Sequence, residues 1–91
     1  MSARNVKAPV RKGPTPLTIG FGRLVKKKRI ANGWSMVTMA LELDLESGGT
    51  IYFWEIGRSF PAPASLEALA RLFGMKIWEL IREAEIEGER A

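Results

Sequence analysis

The side chains that could carry out chemistry in this sequence are carboxylates and cations, because its 91 residues include neither cysteine nor histidine. Without histidine the chain lacks the commonest general base and the commonest metal ligand, and without cysteine it forms neither disulfides nor thiolate zinc sites. Its ten carboxylates fall mostly on predicted exposed helix faces, with no nucleophile and base arranged beside them. The sequence therefore predicts a protein that is not an enzyme and that uses no metal and no cofactor.

The cations are concentrated at the N-terminal end of the chain. Residues 1–33 contain nine basic residues and no acidic one, whereas residues 34–91 contain five basic and ten acidic residues. This separation predicts a polyanionic partner, and both nucleic acid and an anionic membrane surface meet that description. No apolar run is long enough to span a membrane, and the basic end lacks an apolar signal region and an apolar face. Nucleic acid is therefore favoured, no membrane partner is expected, and the predicted location is cytoplasmic.

The first sixteen residues are predicted to form a flexible basic arm. Three prolines and Gly13 stand there among few apolar side chains, a composition that buries little surface. The cations of this arm are Arg4, Lys7, Arg11 and Lys12. The folded domain is predicted to span residues 17–87, and the charged residues 88–91 are predicted to be a frayed tail.

From Leu17 onward, apolar residues recur at helical spacing and glycines separate the segments. The pattern predicts five helices, over residues 19–32, 36–43, 48–56, 63–73 and 76–87. Because no segment alternates apolar and polar residues with the period of a strand, the predicted fold class is all-α. The predicted core consists of Phe21, Leu24, Val25, Ile30, Ile51, Trp54, Leu66, Leu69, Ala70, Phe73, Ile77, Leu80 and Ala84.

The second and third predicted helices are short and are joined by a polar turn at residues 44–47, an arrangement typical of a helix-turn-helix. In the third helix, Ile51 and Trp54 lie three residues apart on the side that faces the core. Tyr52 and Phe53 point the other way. One possibility is that they face a nucleic-acid groove, where a tyrosine can form a hydrogen bond with a phosphate or a base edge and an aromatic ring can pack on a thymine methyl group. The alternative is that one of them packs on neighbouring loops.

Four stretches of the chain match, in order and in register, the sequence pattern of a known protein family. They are Arg29-Ile30-Ala31-Asn32-Gly33-Trp34-Ser35, Met39-Ala40, Ile51-Tyr52-Phe53-Trp54-Glu55-Ile56-Gly57-Arg58, and the set Pro61, Leu66, Leu69-Ala70 and Phe73-Gly74-Met75. Together they resemble the phage-repressor (Cro/C1, XRE-type) helix-turn-helix family of DNA-binding proteins. The resemblance covers about residues 21–81, and it implies a compact five-helix, lambda-repressor-like domain whose third helix reads DNA.

The same resemblance implies roles for individual residues. Arg29 and Glu55 stand where the family has an ion pair between the first helix and the end of the recognition helix. The implied DNA-binding positions are Ser35, Met36, Ser47, Gly48, Gly49, Thr50, Tyr52, Phe53 and Arg58, with Arg4, Lys7, Arg11 and Lys12 of the arm entering a minor groove. Three of these roles have an alternative. Gly48 and Gly49 either allow close approach to DNA or only serve the turn. Arg58 and the arm either contact DNA or are simply exposed to solvent.

The chain departs from the family pattern in the second helix and in the turn. Asp44 stands where the family usually has glycine, and the turn is one residue longer than usual. Met36 stands where a polar residue usually opens the second helix and binds a phosphate. The departures concern the positions implied to contact DNA more than they concern the fold.

Two functions from different classes follow. The first is a sequence-specific transcriptional regulator, a dimeric repressor that binds double-stranded DNA through residues 48–56. Its homodimer contact would use Trp78 and Ile81 of the fifth helix, which are otherwise buried under the C-terminal tail. The second is a protein-interaction module with the same fold, such as an antitoxin-like protein that binds a protein partner. Met36, the two glycines and the acidic residues at 42, 44 and 46 support this alternative.

Overall fold

The computed structural model describes residues 13–90, and within that range it contains five α-helices and no strand. The helices are α1 (Pro16–Ala31), α2 (Met36–Glu42), α3 (Gly48–Glu55), α4 (Pro63–Leu72) and α5 (Ile77–Glu89). The all-α prediction is confirmed. The predicted arm cations Arg4, Lys7, Arg11 and Lys12 lie outside the described residues. No helix in the described range is long and apolar enough to cross a membrane.

Helix α1 begins at Pro16, three residues before the predicted start, because a capping box closes its first turn. The amide of Thr18 donates to the hydroxyl oxygen of Thr15 at 3.2 Å, and the amide of Thr15 donates to the hydroxyl oxygen of Thr18 at 2.8 Å. Pro16 is well suited to the first helical position, where no amide hydrogen is needed. Thr15 and Pro16, which were predicted to belong to the arm, are therefore part of the folded domain.

The core is built around α1, which packs against α5 and α3, and α2 and α4 contribute further buried side chains. Phe21 is fully buried at its centre, with its ring 6.4 Å from that of Trp54, edge to face, and 4.8 Å from that of Phe60. Two core predictions were wrong: Ile30 and Ile77 are exposed. Ile77 is the first residue of α5, and the side of that helix that faces the core is formed by Leu80 and Ala84. The buried core is Phe21, Leu24, Val25, Met39, Ala40, Leu43, Ile51, Trp54, Leu69, Ala70, Leu80 and Ala84.

Helices α1 and α5 approach each other closely enough for backbone to meet backbone. A Cβ atom on Gly20 would overlap the carbonyl of Ala84 and the amide of Gly88, and one on Gly88 would overlap the carbonyl of Pro16. The predicted frayed tail at residues 88–91 was therefore wrong for Gly88 and Glu89, because α5 continues through this contact and ends at Glu89. The two glycines lower the intrinsic helix propensity and in return permit the packing that fixes α5 on α1.

Candidate nucleic-acid interface

Helices α2 and α3 form a helix-turn-helix, and a serine caps the start of each helix. The hydroxyl oxygen of Ser35 accepts a hydrogen bond from the amide of Thr38 at 3.0 Å, and that of Ser47 accepts one from the amide of Gly49 at 3.2 Å. Such caps satisfy amides that the first helical turn leaves without partners. Ser47 thus has a defined structural role, although its side chain remains exposed to solvent.

The turn between the two helices has a left-handed residue where the sequence departs from the family pattern. Asp44 has φ = 58°, a conformation that suits glycine and that aspartate tolerates better than most residues. On either side of it, Leu43 is buried and Leu45 packs against the core. The aspartate therefore performs the conformational task of the missing glycine, and the longer turn is anchored by two leucines.

Helix α3 is held from behind by side chains that are almost fully buried. Ile51 is completely buried, Trp54 is nearly so, and Trp54 packs edge to face on Phe21 of α1. Gly22 brings α1 still closer, since a Cβ atom there would overlap the carbonyl oxygens of Trp54 and Glu55. The last turn of α3 therefore rests directly on the backbone of α1.

The ion pair predicted between Arg29 and Glu55 is present and is bidentate. The Nε atom of Arg29 donates to one carboxylate oxygen of Glu55 at 2.6 Å, and Nη2 donates to the other at 3.1 Å. The remaining Nη1 donates to the carbonyl of Trp34 at 3.0 Å. The hydrogen bonds that Arg29 donates to Glu55 raise the pKa of Arg29 above its ordinary value. Because both side chains are largely buried, the pair fixes α3 to α1 and to the residue before the α2 cap.

The outward face of α3 consists of four residues at helical spacing: Gly49, Tyr52, Phe53 and Ile56 at its C-terminal cap. The three large side chains are exposed to 48%, 44% and 42% respectively. The rings of Tyr52 and Phe53 lie 5.7 Å apart, and they pack on each other rather than under a loop. Within residues 13–90, no other part of the chain covers this face. It is apolar, and its only polar side-chain group is the hydroxyl of Tyr52.

The two glycines that open α3 serve different purposes. A Cβ atom on Gly48 would crowd Met36 and the amide of Val37 at 3.1–3.3 Å, so Gly48 permits the tight contact between α2 and α3. Gly49 faces open space, with only the Ser47 hydroxyl nearby. Met36 is half-buried at the same contact, and Thr50 of α3 is also half-buried. Of the predicted residues at this end of α3, Ser47 and Gly49 are the exposed ones.

One cation is associated with the outward face of α3, and the lysine run of α1 is largely directed elsewhere. The guanidinium carbon of Arg58 lies 5.6 Å from the centre of the Phe53 ring. By contrast, Lys27 pairs with Glu87 of α5, and its hydrogen bond lowers the pKa of that carboxyl below the ordinary value. Lys28 lies 4.0 Å from a carboxylate oxygen of Glu83. The structure thus brings Arg58 to α3 and uses Lys27 and Lys28 to join α1 to α5.

An exposed apolar pair on α2 was missed by the sequence analysis. Val37 and Leu41 lie one helical turn apart and are both more than 60% exposed. With Leu45 and Gly48 they line a small groove of about 230 Å³ between α2 and α3. The signal was present in the sequence, because α2 carries apolar residues at five of its seven positions and only Met39 and Ala40 are buried.

The predicted stripe on α5 is exposed at one of its two positions. Trp78 is 60% exposed, whereas Ile81 is half-buried. Trp78 stands between two open depressions, one of about 700 Å³ that includes Met75 and Ile77 and one of about 250 Å³ that includes Ile86. The exposed apolar surface is therefore centred on Trp78 and extends to Ile77 and Ile86 rather than to Ile81.

Comparison with known proteins identifies the fold. No protein-family model matches the sequence, and no curated protein matches it closely. Among solved structures, the chain is similar to the clp gene regulator ClgR from Corynebacterium glutamicum, with a TM-score of 0.71 and 19% sequence identity. The similarity covers 81% of this chain and 78% of that one. The chain therefore has the all-α helix-turn-helix fold seen in that regulator, with α2 and α3 as its two defining helices.

Proposed function

We propose that this protein is a transcriptional regulator of the Cro/C1 (XRE-type) class that binds double-stranded DNA by inserting α3 into the major groove. The observation that carries the proposal is the uncovered face of Gly49, Tyr52, Phe53 and Ile56 on a helix that is rigidly fixed from behind. A site that reads bases needs such a support, because a misplaced recognition helix loses its contacts. The fold shared with the regulator ClgR is consistent with this function.

In the proposed complex, phosphate contacts position the domain and α3 selects the sequence. Arg58 lies three residues after the last residue of α3, and its guanidinium beside Phe53 would reach a phosphate while the ring faces the groove. Ser35, at the start of α2, and the cations at residues 4, 7, 11 and 12 would supply further phosphate or minor-groove contacts. The regulator would act as a repressor by occupying its site and excluding polymerase.

The proposed active form is a homodimer in which the surface around Trp78 meets a second copy. Two-fold symmetry requires a surface that is complementary to itself. The depressions beside Trp78 support this proposal, because exposed apolar side chains stand there among three carboxylates and three cations that could pair across a two-fold axis: Glu67, Glu79, Glu83, Arg71, Lys76 and Arg82. Two copies would then read half-sites about one helical turn of DNA, roughly 34 Å, apart.

The test is a binding titration followed by selection from random DNA. Binding of the full chain to a random-sequence duplex is followed by fluorescence anisotropy at several salt concentrations, and bound sequences are then enriched over successive rounds. We expect an enriched motif with two related halves, and a log–log salt slope of about −0.9 for each neutralised phosphate. In Arg58→Ala the slope should become shallower by about one, whereas in Arg90→Ala, at the far end of α5, it should not change.

Failure of the selection to enrich any motif would contradict the proposal and would favour the alternative, a protein-interaction module. One observation favours that alternative directly: the exposed Val37 and Leu41 lie beside the exposed carboxylates of Glu42 and Glu46, a combination that would repel DNA phosphates and suits a protein surface. An antitoxin-like protein of this kind would bind its protein partner equally well in the presence of excess DNA.

A further inference from the structure

The outward face of α3 lacks the side chains that usually distinguish bases by hydrogen bonding. Arginine and lysine recognise guanine, and asparagine and glutamine recognise adenine, through paired donors and acceptors in the major groove. The residues of α3 include none of these four types. Its exposed positions are Gly49, Tyr52 and Phe53, followed by Ile56 at the cap. Recognition by this face must therefore depend mainly on apolar contact.

One chemical feature of the major groove is recognised by apolar contact, and that is the C5-methyl group of thymine. Tyr52 and Phe53 present two exposed aromatic rings on this face, with their centroids 5.7 Å apart and an interplanar angle of 53°. Arg58 holds the outer side of Phe53 through its guanidinium, 5.6 Å from the ring centre. The Phe53 ring nevertheless remains 44% exposed and is available for a further contact.

The approach of the backbone also favours contact with methyl groups. Gly49 lies one turn before Phe53 on the same face, and nothing but the Ser47 hydroxyl approaches the position where its Cβ would be. The absence of a side chain at Gly49 lets a base edge come close to the helix, so that the two rings can reach it. Carboxylates near this face lie in the turn, at Asp44 and Glu46, and not on α3 before its last residue.

We infer that α3 recognises thymine through its C5-methyl groups, with Phe53 and Tyr52 as the specificity-determining residues. This inference rests on the proposed function and names the base that the proposed site selects. The operator should then be rich in A·T pairs at the positions that α3 contacts. Affinity should depend on the thymine methyl group itself and not only on the hydrogen-bonding edge of the base pair.

The test replaces thymine by uracil, which removes the methyl group and leaves base pairing unchanged. Duplexes enriched from random DNA are synthesised again with deoxyuridine at one thymine at a time, and their dissociation constants for the unmodified full chain are compared. We expect each contacted methyl to contribute about a fourfold difference in affinity, the factor for removing one such group from water. Thymines outside the α3 contact should show no difference.

Variants then assign the effect to α3. In Phe53→Ala, the ratio of affinities for thymine and uracil duplexes should fall towards one while salt-dependent binding remains. Ile30→Ala, which removes a comparably exposed apolar side chain from α1, should leave the ratio unchanged. Thermal unfolding followed by circular dichroism checks that each variant is folded, and the comparison in the unmodified chain needs no variant.

The possible outcomes separate this inference from the proposed function. Equal affinity for thymine and uracil duplexes of an enriched motif would overturn methyl recognition and leave the DNA-binding proposal standing. Enrichment of a motif without thymine at the contacted positions would do the same. If no motif is enriched and a protein partner occupies the aromatic face, both proposals fail together.

Discussion

Helices α3 and α5 each bury one side in the core and expose an aromatic side chain on the other, but their exposed faces differ in charge. The outward face of α3 carries no charged side chain, and one cation, Arg58, lies beside it. The face around Trp78 on α5 carries carboxylates and cations in equal number. A polyanion and a second copy of the chain make different demands. The first is repelled by carboxylates, whereas the second requires both signs of charge in positions that can pair.

The contacts that α1 makes with α3 also differ from those that it makes with α5. Towards α3, α1 presents Gly22 and the largely buried Arg29, so that α3 is fixed by backbone contact and a bidentate ion pair. Towards α5, it presents Gly20 and the exposed Lys27. The ion pair towards α3 is therefore the more buried of the two, because Lys27 remains exposed to solvent.

The largest expected effect is on stability, and it compares the adjacent residues Phe53 and Trp54, which lie on opposite sides of α3. Trp54→Ala removes a nearly fully buried indole and should lower the free energy of unfolding by about 3–5 kcal/mol. Phe53→Ala removes an exposed ring and should change it by less than about 0.5 kcal/mol. Urea unfolding followed by circular dichroism measures both. Equal destabilisation by the two changes would show that the face containing Phe53 is not free.

The next effect concerns the ion pair at the end of α3. Glu55→Gln leaves Arg29 largely buried without its carboxylate and should lower the free energy of unfolding by about 3 kcal/mol. Glu46→Gln, at an exposed carboxylate with no ion pair within residues 13–90, is the matched control and should have little effect. If Glu55→Gln were as mild as the control, the pair would not be what orients α3.

The structural features behind these two predictions could be predicted from the sequence only in part. The helices, the burial of Ile51 and Trp54, and the pairing of Arg29 with Glu55 followed from spacing and from the family resemblance, because both report which residues face inward. The roles of Gly20, Gly22 and Gly48 did not follow. Their missing side chains matter only where another backbone passes, and no pattern within a single segment records that passage. Ile77 was misjudged for a different reason, because helical spacing alone did not show that it is the first residue of α5 and lies outside the buried side of that helix.

The candidate site could also be predicted from the sequence only in part. Tyr52 and Phe53 were correctly placed away from the core, since their positions follow from the helical period. Their exposure was left open, because it depends on where the loop after Gly57 goes. Asp44 in the left-handed region shows how tertiary contacts at Leu43 and Leu45 can impose a conformation that local propensity only tolerates.

A smaller effect tests the contrasting face of α5. Trp78→Ala should weaken self-association by at least tenfold, since a tryptophan at the centre of an interface commonly accounts for about 2 kcal/mol or more. Sedimentation equilibrium measures the dimer dissociation constant. Phe53→Ala is the control on the other face, and it should leave self-association unchanged. A chain that is monomeric at all concentrations would remove the dimer from the proposal, and DNA binding would then involve single half-sites.

The smallest effect concerns the ion pair between the exposed Lys27 of α1 and Glu87 of α5. The hydrogen bond from Lys27 lowers the pKa of Glu87, so the charged form is favoured in the folded state. A carboxyl whose pKa falls on folding stabilises the protein above its ordinary value of 4.5, and this contribution is lost as the pH falls through the lowered pKa. Lys27→Met should therefore lower the urea midpoint slightly at neutral pH, and the difference should vanish in acid.

Lys26→Met gives the matched control for this last prediction, because it removes the same charge one residue away from a lysine that has no ion pair within residues 13–90. A general effect of net charge would shift the midpoint equally in both variants. A loss confined to Lys27→Met would show that the contact with α5 is responsible. Because α3 does not touch this pair, the variant should bind DNA with an unchanged preference for thymine, and a change in that preference would show that the two faces are coupled through α1.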